Sequence, residues 1–417
     1  MSAFAFTQLF VFFLLLTFIV RFWLAFRQWH TIRNHCDHVP EQFAQNISLS
    51  AHRKAAAYTM AKTRFSLVSL TVDTIVLLGF TLFGGLQYLA EFILAHTGNN
   101  IIYEIALIAV VSIITGLIDL PLDYYRQFVI EEKFGFNKMT LSLFVGDIAR
   151  NTAIGVIIGL PVLWILLAVL EKAGTLWWLY AWFLWCAFQF LMLFLYPSFI
   201  APLFNQFSPL ADENLRQRIE QLLQRVGFQA KGLFIMDGSK RSSHGNAYFT
   251  GFGAAKRVVF FDTLVERLTP EEIEAVLAHE LGHFRLKHVT KRIIFTSLAS
   301  LAFLALLGYL KNESWFYAGL GINPDLASNA IALILFVLTL PVFTFFLSPL
   351  MAMNSRKHEF EADAFSAKYT DARDLASALV KMYQDNASTL TPDPLHSAFY
   401  DSHPPASLRI NRLLEHS

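Results

Sequence analysis

Long apolar runs alternate with polar segments along the whole chain, and seven of these runs are long enough to cross a bilayer, which takes about 20 residues each. The first run is too long for a secretory signal peptide and has neither a basic start nor a small-residue cleavage site before Arg27. We therefore expect it to be retained as a membrane helix. The predicted spans lie near residues 3–26, 67–93, 101–121, 152–171, 176–196, 292–310 and 330–350.

The composition agrees with a membrane protein. Hydrophobic residues make up 55% of the 417 residues and charged residues 16%, whereas a typical soluble domain is about 25% charged. The net charge of +1 gives no reason to expect a nucleic-acid partner. The composition therefore indicates a mostly α-helical protein whose principal surroundings are the lipid bilayer.

The positions of the basic residues predict how the spans are oriented. Of the 33 Lys and Arg, Arg21 lies within the first span, and only Lys172 and Lys311 fall in the loops after spans four and six. All the others are on one side of the membrane if the N-terminus lies outside. Basic residues in short loops mark the cytoplasmic side, so this side is predicted to be the cytoplasm.

The two longest polar segments also fall on this inner side, which divides the chain into four parts. We predict that a small cytoplasmic α+β domain is split in sequence by two membrane spans. The parts are 1–196 with five membrane helices, 197–291, 292–350 with helices six and seven, and 351–417.

A helix with two histidines is predicted near the end of the first cytoplasmic part. Thr269 can cap the start of this helix, Pro270 suits its first turn, and Glu272 completes a capping box. His279 and His283 are four residues apart, so their side chains emerge one turn from each other on one face. Two imidazoles at this spacing can bind one Zn²⁺.

Glu280 lies between these histidines in the sequence HELGH at 279–283. A carboxylate at this position can act as the general base toward an attacking water, as in HExxH metalloproteases. The sequence therefore predicts a catalytic metal centre with Glu280 as its base.

A catalytic zinc usually has a third protein ligand, and Glu359 is the best candidate. Asp363 lies one helical turn beyond Glu359 on the same face. Glu359 can then bind the metal while Asp363 accepts the free N–H of a ligating histidine. The alternative is that Glu359 belongs to a solvated, charged helix face.

Three other residues near the centre are not expected to bind the metal. A third histidine at metzincin spacing would stand at position 289, which is Val289, so we expect His288 to be a surface or helix-end histidine. Glu361 is expected to point elsewhere on the helix into solvent, and His358 to face outward.

At this point the chain resembles the type I CAAX prenyl proteases, integral-membrane zinc metallopeptidases with bacterial relatives. The resemblance covers most of the chain. The matching segments are FVIEEKFGFNK at 128–138, YP at 196–197, IAPLFN at 200–205, NAYF at 246–249, HELGH at 279–283, EFEAD at 359–363 and HPP at 403–405.

The resemblance implies a fold in which seven membrane helices enclose a large chamber, with the metal site near its inner end. It also implies roles for individual residues. His279, His283 and Glu359 would bind one zinc ion per chain, and Glu280 would be the base. One departure is Gly245, where many relatives have Ser, which removes no chemistry.

The resemblance further implies a substrate site and two catalytic residues near the C-terminus. Asn246, Ala247 and Tyr248 would belong to an edge strand that binds an extended peptide. His403 and Arg409 would stabilise the oxyanion or order the site. From the residues alone, Arg409 is better interpreted as a surface partner of Glu415 or another acid.

The predicted function is that of a membrane-integrated zinc metalloendopeptidase acting on polypeptides, prenylated or membrane-associated. One alternative is a quality-control protease of the same chemistry without a prenylated substrate. Another is a transporter with structural zinc, which would be closed by four protein ligands and would not need Glu280. The bacterial inner membrane is favoured over the endoplasmic reticulum because bacterial relatives are near this length. The oligomeric state is left open.

Overall fold

The chain is mostly helical, and seven helical segments are long and apolar enough to cross a membrane. The computed structural model describes residues 1–229, 232–250 and 257–415. The membrane helices are α1 (Ala3–His35), α2 (Leu49–Phe80), α4 (Ile101–Tyr125, continued by a π-helical turn to Glu131), α5 (Leu141–Lys172), α6 (Trp177–Leu195, continued by a second π-helical turn to Ile200), α11 (His288–Leu310) and α13 (Asn329–Thr344). The predicted number of spans is therefore confirmed.

Several of these helices are much longer than the predicted spans. A helix of 32 residues, such as α2 or α5, is about 48 Å long, whereas the hydrocarbon core is about 30 Å thick. The apolar pattern marks only the part of each helix in the hydrocarbon. The helices therefore continue beyond it as amphipathic or polar segments.

The second span predicted at 67–93 is wrong in its second half. Helix α2 ends at Phe80, and a separate helix α3 (Gly85–Thr97) begins after a turn. Gly84 takes φ +77° in this turn, and a Cβ on Gly85 would lie only 2.5 Å from the carbonyl oxygen of Gly79. The hydrophobic run continues across the turn because both helices pack in the same apolar core, so hydropathy alone does not reveal the break.

Two short helices cover the end of the bundle at which the chain begins. Helix α3 and helix α12 (Ser314–Ala318) contribute fully buried side chains, among them Leu86 and Phe316, to the core of the membrane helices. Near the start of α1, the Thr7 hydroxyl donates to the carbonyl of Gly319 at 2.8 Å. These contacts close the bundle at the end where the chain begins.

A cavity of about 580 Å³ lies between α1, α2 and the C-terminal segment. Arg21 and Lys62 line it from the membrane helices, and Tyr383 and His403 line it from the C-terminal part. Two of the seven membrane helices thus line a space that reaches the C-terminal residues implicated by the sequence.

Outside the membrane helices, a four-stranded sheet has the order β1 (Phe207–Pro209), β2 (Gly232–Met236), β4 (Arg257–Phe261), β3 (Ala247–Thr250). Strands β2 and β4 are parallel, and the two outer strands are antiparallel to their neighbours. Because β3 pairs only with β4 among the described strands, it is an edge strand.

The sheet shares one apolar core with helices from two distant parts of the chain. This core contains side chains from 210–281 and from 372–413, so the two polar parts fold together although two membrane helices separate them in sequence. The remaining helices are α7 (Ala201–Phe204), α8 (Glu213–Val226), α9 (Asp262–Val265), α10 (Pro270–Arg285), α14 (Ser348–Tyr369), α15 (Ala372–Asp385), α16 (Pro394–Tyr400) and α17 (Ala406–Leu414).

Helices α10 and α14 pack directly against each other. The capping box predicted for α10 is confirmed, with Thr269 and Glu272 each bonding the other's backbone N–H. A Cβ on Gly282 would lie 3.0 Å from both the Cα of Ala362 and the Cβ of Phe365. The absence of a side chain at Gly282 therefore lets the two helices approach closely.

Candidate metal centre

Three candidate metal ligands converge where α10 faces α14. The Nε2 atoms of His279 and His283 are 3.2 Å apart. Glu359 places its Oε1 3.3 Å from Nε2 of His283 and its Oε2 3.5 Å from Nε2 of His279. His279 and Glu359 are buried, and His283 is partly exposed.

These distances fit a single tetrahedral ion. Zinc bonds to nitrogen and oxygen of about 2.0–2.1 Å require neighbouring ligand atoms to be about 3.3–3.4 Å apart at the corners of a tetrahedron. The two Nε2 atoms face each other, and neither has an obvious proton to donate to the other. Glu359 Oε2 is buried and accepts no hydrogen bond. The donor set of two nitrogens and one carboxylate therefore suits a metal ion and leaves a fourth position open.

Asp363 lies one turn beyond Glu359, as expected, and is buried beside His279. Its Oδ1 is 2.8 Å from Nδ1 of His279. Because Nε2 of His279 faces the other ligands, Nδ1 must carry the proton and donate it to Asp363. This bond fixes the orientation of the ring.

Arg409 from α17 closes the buried side of the centre. Its Nε and Nη2 atoms donate to the two carboxylate oxygens of Asp363 at 2.9 and 2.6 Å, and its Nη1 lies 3.4 Å from Oε2 of Glu359. Burial alone would lower the pKa of Arg409, but the carboxylates of Asp363 and Glu359 hold this pKa above its ordinary value. A surface pair with Glu415, the interpretation from the residues alone, is therefore wrong, because Arg409 is only 5% exposed.

Glu280 and His403 lie on the open side of the centre. Glu280 is partly buried and forms no hydrogen bond or ion pair in the described part of the chain. The side chain of His403 is 60% exposed, lines the cavity and has its Nε2 3.5 Å from Oε1 of Glu359. The two residues are close enough to interact electrostatically. His403 therefore lies between the cavity and Glu359, and Glu280 lies near His403.

The three candidate substrate-binding residues are at the start of the edge strand β3, which packs against α10. Asn246 is exposed, Ala247 is buried, and Tyr248 is partly buried. The side-chain oxygen of Asn246 accepts the N–H of Ala247 at 2.9 Å, which orients its amide NH₂ group away from the strand's own backbone. Burial raises the pKa of Tyr248 to about 12, so its phenol stays protonated.

Expectations about three neighbouring residues are only partly confirmed. His288 is at a helix end, as predicted, but it is buried, and its Nδ1 lies 3.0 Å from Nδ1 of His283. Glu361 is not simply solvated, because its Oε2 lies 2.9 Å from Nε2 of His288. His358 stacks on His288 with ring centroids 4.0 Å apart instead of facing outward.

The reason for these errors is that α14 contacts two elements at once. Glu359 faces α10, while Glu361 faces the first residue of α11. Lys287 takes φ +60° between α10 and α11, and this turn brings His288 back toward His283. Helical spacing within either segment gave no signal of the contact.

Comparisons with family models agree with this arrangement. Residues 28–206 match the family described as CAAX prenyl protease N-terminal, five membrane helices. Residues 209–417 match peptidase family M48. Together the two models cover the whole metal centre and all of the membrane helices except most of α1.

Individual relatives match over nearly the full length. The chain is 35% identical to CAAX prenyl protease 1 homolog of Arabidopsis thaliana, with 99% of this chain and 98% of the relative covered. It is 34% identical to CAAX prenyl protease 1 of Saccharomyces cerevisiae, with 94% and 91% covered. It is 32% identical to CAAX prenyl protease 1 homolog of Homo sapiens, with 96% and 94% covered.

A solved structure shares the fold. The crystal structure of S. mikatae Ste24p superimposes with a TM-score of 0.90 at 32% identity, covering 98% of this chain and 99% of that one. The shared helical membrane chamber, the paired histidines with a distal glutamate and the full-length similarity together show that this chain is a multi-pass membrane metallopeptidase of family M48, of the CAAX prenyl protease type.

Proposed function

We propose that the metal is one zinc ion per chain and that His279, His283 and Glu359 bind it. The observation that carries this proposal is the convergence of the two Nε2 atoms, 3.2 Å apart, on the Glu359 carboxylate, whose Oε1 and Oε2 lie 3.3 and 3.5 Å from His283 and His279 respectively. These spacings suit tetrahedral zinc with an open position. A structural zinc is closed by four protein ligands, whereas the described residues supply three here. This argues against the transporter alternative.

Each residue around the centre has a distinct role in peptide hydrolysis. When bound, zinc supplies a Lewis acid for the scissile carbonyl and makes water a better nucleophile at neutral pH. Glu280 accepts the proton of the attacking water and then delivers it to the leaving amine. His403, which is exposed in the cavity, donates a hydrogen bond to the developing oxyanion.

Arg409 and Asp363 order the site. The guanidinium of Arg409 is buried and already bonded to Asp363, so it does not reach toward a substrate in the cavity. It holds Asp363 in the position that orients His279, and its charge balances two buried carboxylates. Of the two roles implied by the resemblance, ordering the site therefore suits Arg409 and stabilising the oxyanion suits His403.

The edge strand β3 holds the substrate backbone. The N–H of Phe261 bonds the carbonyl of Asn246, so alternation along the antiparallel pair turns the backbone groups of Ala247 and Phe249 outward. The N–H of Ala247 already donates to the side chain of Asn246, so a peptide would pair with the carbonyl of Ala247 and with the backbone of Phe249. An extended peptide can add to this edge as a further strand. The outward amide NH₂ of Asn246 can donate to a peptide carbonyl at the start of the strand, while Tyr248 supports the strand from within.

The decisive experiment on the chemistry compares the wild-type protein with Glu280→Gln in a peptidase assay, with zinc content measured in both. We expect one zinc per chain in both proteins and a loss of activity of about 10²–10⁴-fold in the variant. Full activity in zinc-loaded Glu280→Gln would refute the role of Glu280. Absence of zinc in the active wild-type protein would refute the metal assignment.

For the substrate, the names of the relatives favour proteins with a C-terminal CAAX sequence. A farnesylated CAAX peptide and the same peptide without the farnesyl group should be offered side by side with an unprenylated membrane protein. We expect the farnesylated peptide to be cleaved fastest. Cleavage of the unprenylated membrane protein alone would support the quality-control alternative instead.

The centre faces the cytoplasm, because nearly all basic residues lie on its side of the membrane. The relatives reported above are eukaryotic, so they do not support the bacterial inner membrane over the endoplasmic reticulum. The bacterial assignment therefore rests on chain length. Fractionation of the source cells would decide between the two membranes.

A further inference from the structure

The two histidines of the centre are supported in different ways. Nδ1 of His279 bonds a carboxylate directly, at 2.8 Å from Asp363. Nδ1 of His283 lies instead 3.0 Å from Nδ1 of His288, whose Nε2 lies 2.9 Å from Oε2 of Glu361. His283 therefore reaches a carboxylate through a second imidazole.

The position of His288 is imposed by the backbone. Lys287 adopts φ +60°, a left-handed conformation that is unfavourable for a residue with a side chain. This turn ends α10 and places His288 at the first position of α11, where it is only 4% exposed. Such a conformation persists only where the surrounding contacts maintain it, and the contact between His288 and His283 is one of them.

We propose that Glu361 and His288 form a hydrogen-bonded relay that fixes the tautomer and ring orientation of His283. When Nε2 of His283 faces the metal, its Nδ1 carries the proton and donates to Nδ1 of His288. The single proton of neutral His288 is then on Nε2 and donates to Glu361. Every nitrogen in the chain of contacts has one partner, and donors alternate with acceptors throughout.

A second metal site is the competing interpretation. His288, His358 and Glu361 could each offer a ligand atom, and these atoms lie within 4.8 Å of one another. However, the rings of His288 and His358 are stacked with only 10° between their planes. Their in-plane lone pairs therefore run side by side and do not converge on one point. Both nitrogens of His288 are also already engaged, so the relay accounts for the geometry better.

The relay rests on the proposed zinc site, so the first measurement is the zinc content of the wild-type protein. The zinc dissociation constant is then determined by competition with a chelator for wild type, His288→Phe, Glu361→Ala and Glu361→Gln. Loss of such supporting partners typically weakens metal binding by about 10–100-fold. We expect this loss for His288→Phe, a smaller loss for Glu361→Ala, and the smallest for Glu361→Gln, whose amide oxygen still accepts the proton of His288.

Two matched variants serve as controls. His358→Phe keeps an aromatic ring stacked on His288, and Lys357→Ala removes the other ionic partner of Glu361, at 3.8 Å. Both should bind zinc as tightly as the wild type. The visible absorption of the Co²⁺-substituted protein should change in His288→Phe and not in the controls. The melting temperature of the metal-free protein should be the same in all variants.

The outcomes separate the possibilities. Wild-type zinc affinity in folded His288→Phe would overturn the relay. A parallel fall in metal-free stability and zinc affinity would show that His288 acts only through packing, which also overturns it. Two zinc ions per wild-type chain, with one lost in His358→Phe, would establish the second metal site instead. A wild-type protein without zinc would refute the zinc site itself, whatever the variants show.

Discussion

Arg409 forms a buried, two-point hydrogen-bonded pair with Asp363, with N–O distances of 2.9 and 2.6 Å, although the two residues are 46 positions apart in the sequence. The pair joins α17 to α14 directly behind His279, one of the proposed metal ligands. It links the C-terminal helix of the chain to the orientation of the centre.

Arg409→Ala should destabilise the protein strongly. Removing the guanidinium leaves the carboxylates of Asp363 and Glu359 buried without their cation, which typically costs about 3–5 kcal/mol. Bound zinc offsets part of the lost positive charge, so thermal unfolding should show a larger loss in the metal-free protein than in the zinc-loaded protein.

Two variants test the origin of the Arg409 effect. Arg409→Lys keeps the charge but loses the two-point geometry, and it should have an intermediate stability. Arg412 is on the same helix and is exposed, and its guanidinium lies over the ring of Phe360. Arg412→Ala should lower the free energy of unfolding by less than about 1 kcal/mol. Equal losses for Arg409→Ala and Arg412→Ala would contradict the assigned role.

Gly282→Ala should force α10 and α14 apart. Alanine is the better helix former by about 1 kcal/mol, but its Cβ would lie 3.0 Å from the backbone of Ala362, and overpacking of this kind costs about 1–3 kcal/mol. Because the two helices carry all three proposed zinc ligands, zinc affinity should fall together with the melting temperature.

Gly155 offers a matched control for that substitution. It also lies in a helix, and a Cβ there would meet nothing within 4 Å. Gly155→Ala should leave the zinc affinity unchanged and should not lower the melting temperature, because alanine favours the helix and meets no obstacle there. A Gly282→Ala protein that behaved in the same way would show that the close helix approach is not required.

His403→Ala should lower the turnover number and leave zinc binding intact. Loss of one oxyanion donor usually reduces kcat by about 10²–10³-fold, whereas substrate binding at β3 does not involve His403. Steady-state kinetics should therefore show a fall in kcat with little change in KM, and His403→Gln should recover part of the loss.

His396 lines the same cavity and serves as the comparison for His403. Its substitution by Ala should have little effect on kcat. A fall in kcat of the same size in both variants would mean that the cavity wall in general, and not the donor at His403, is needed for hydrolysis.

Glu272 should make the stability of the metal-free protein depend on pH. Burial alone would raise the pKa of this carboxyl, but Lys381, Ser377 and the N–H of Thr269 together hold it below its ordinary value. A carboxyl whose pKa is lower in the folded protein than in the unfolded chain stabilises the folded state at pH values above the unfolded pKa of about 4.3. This contribution is lost as the pH falls through the pKa of the folded state.

Glu272→Gln should therefore lower stability at pH 7 by about 1–2 kcal/mol, from the loss of the charged capping and ionic contacts. Unfolding measured in the metal-free protein avoids acid release of zinc. The difference from wild type should shrink below about pH 4. Glu266→Gln, at an exposed position, is the control, and a constant difference for Glu272→Gln at all pH values would contradict this explanation.

The membrane orientation can be tested with single cysteines. After replacement of Cys36 and Cys186, the exposed positions Lys172 and Lys240 are changed to Cys one at a time. In intact cells with the protein in the plasma membrane, an impermeant maleimide should label Lys172→Cys. Lys240→Cys should be labelled only after permeabilisation, and the opposite pattern would reverse the topology.

Local patterns in the sequence predicted several features correctly. The seven spans follow from apolar runs, because a helix in lipid must be apolar over its whole hydrocarbon length. The start of α10 follows from Thr269 and Glu272, since a cap depends on residues three apart. The shared face of His279 and His283 follows from helical spacing alone.

Other features depended on contacts between distant segments. The ion pair of Arg409 could not be assigned from the residues, because Glu415 is near in sequence and Asp363 is near only in space. The break after Phe80 was hidden by a continuous apolar run. The buried position of His288 depends on a left-handed turn at Lys287 and on α14, which lies beyond two further helices in the chain.

The sequence by itself thus determined the membrane helices, the paired histidines and the residue types of a metallopeptidase, because each depends on interactions within one or two helical turns. Only the tertiary structure decided which carboxylate supports which histidine, and how closely α10 and α14 approach at Gly282. The physical reason is that a metal centre requires atoms placed within a few tenths of an ångström, and such placement arises from packing between elements that spacing along one helix does not specify.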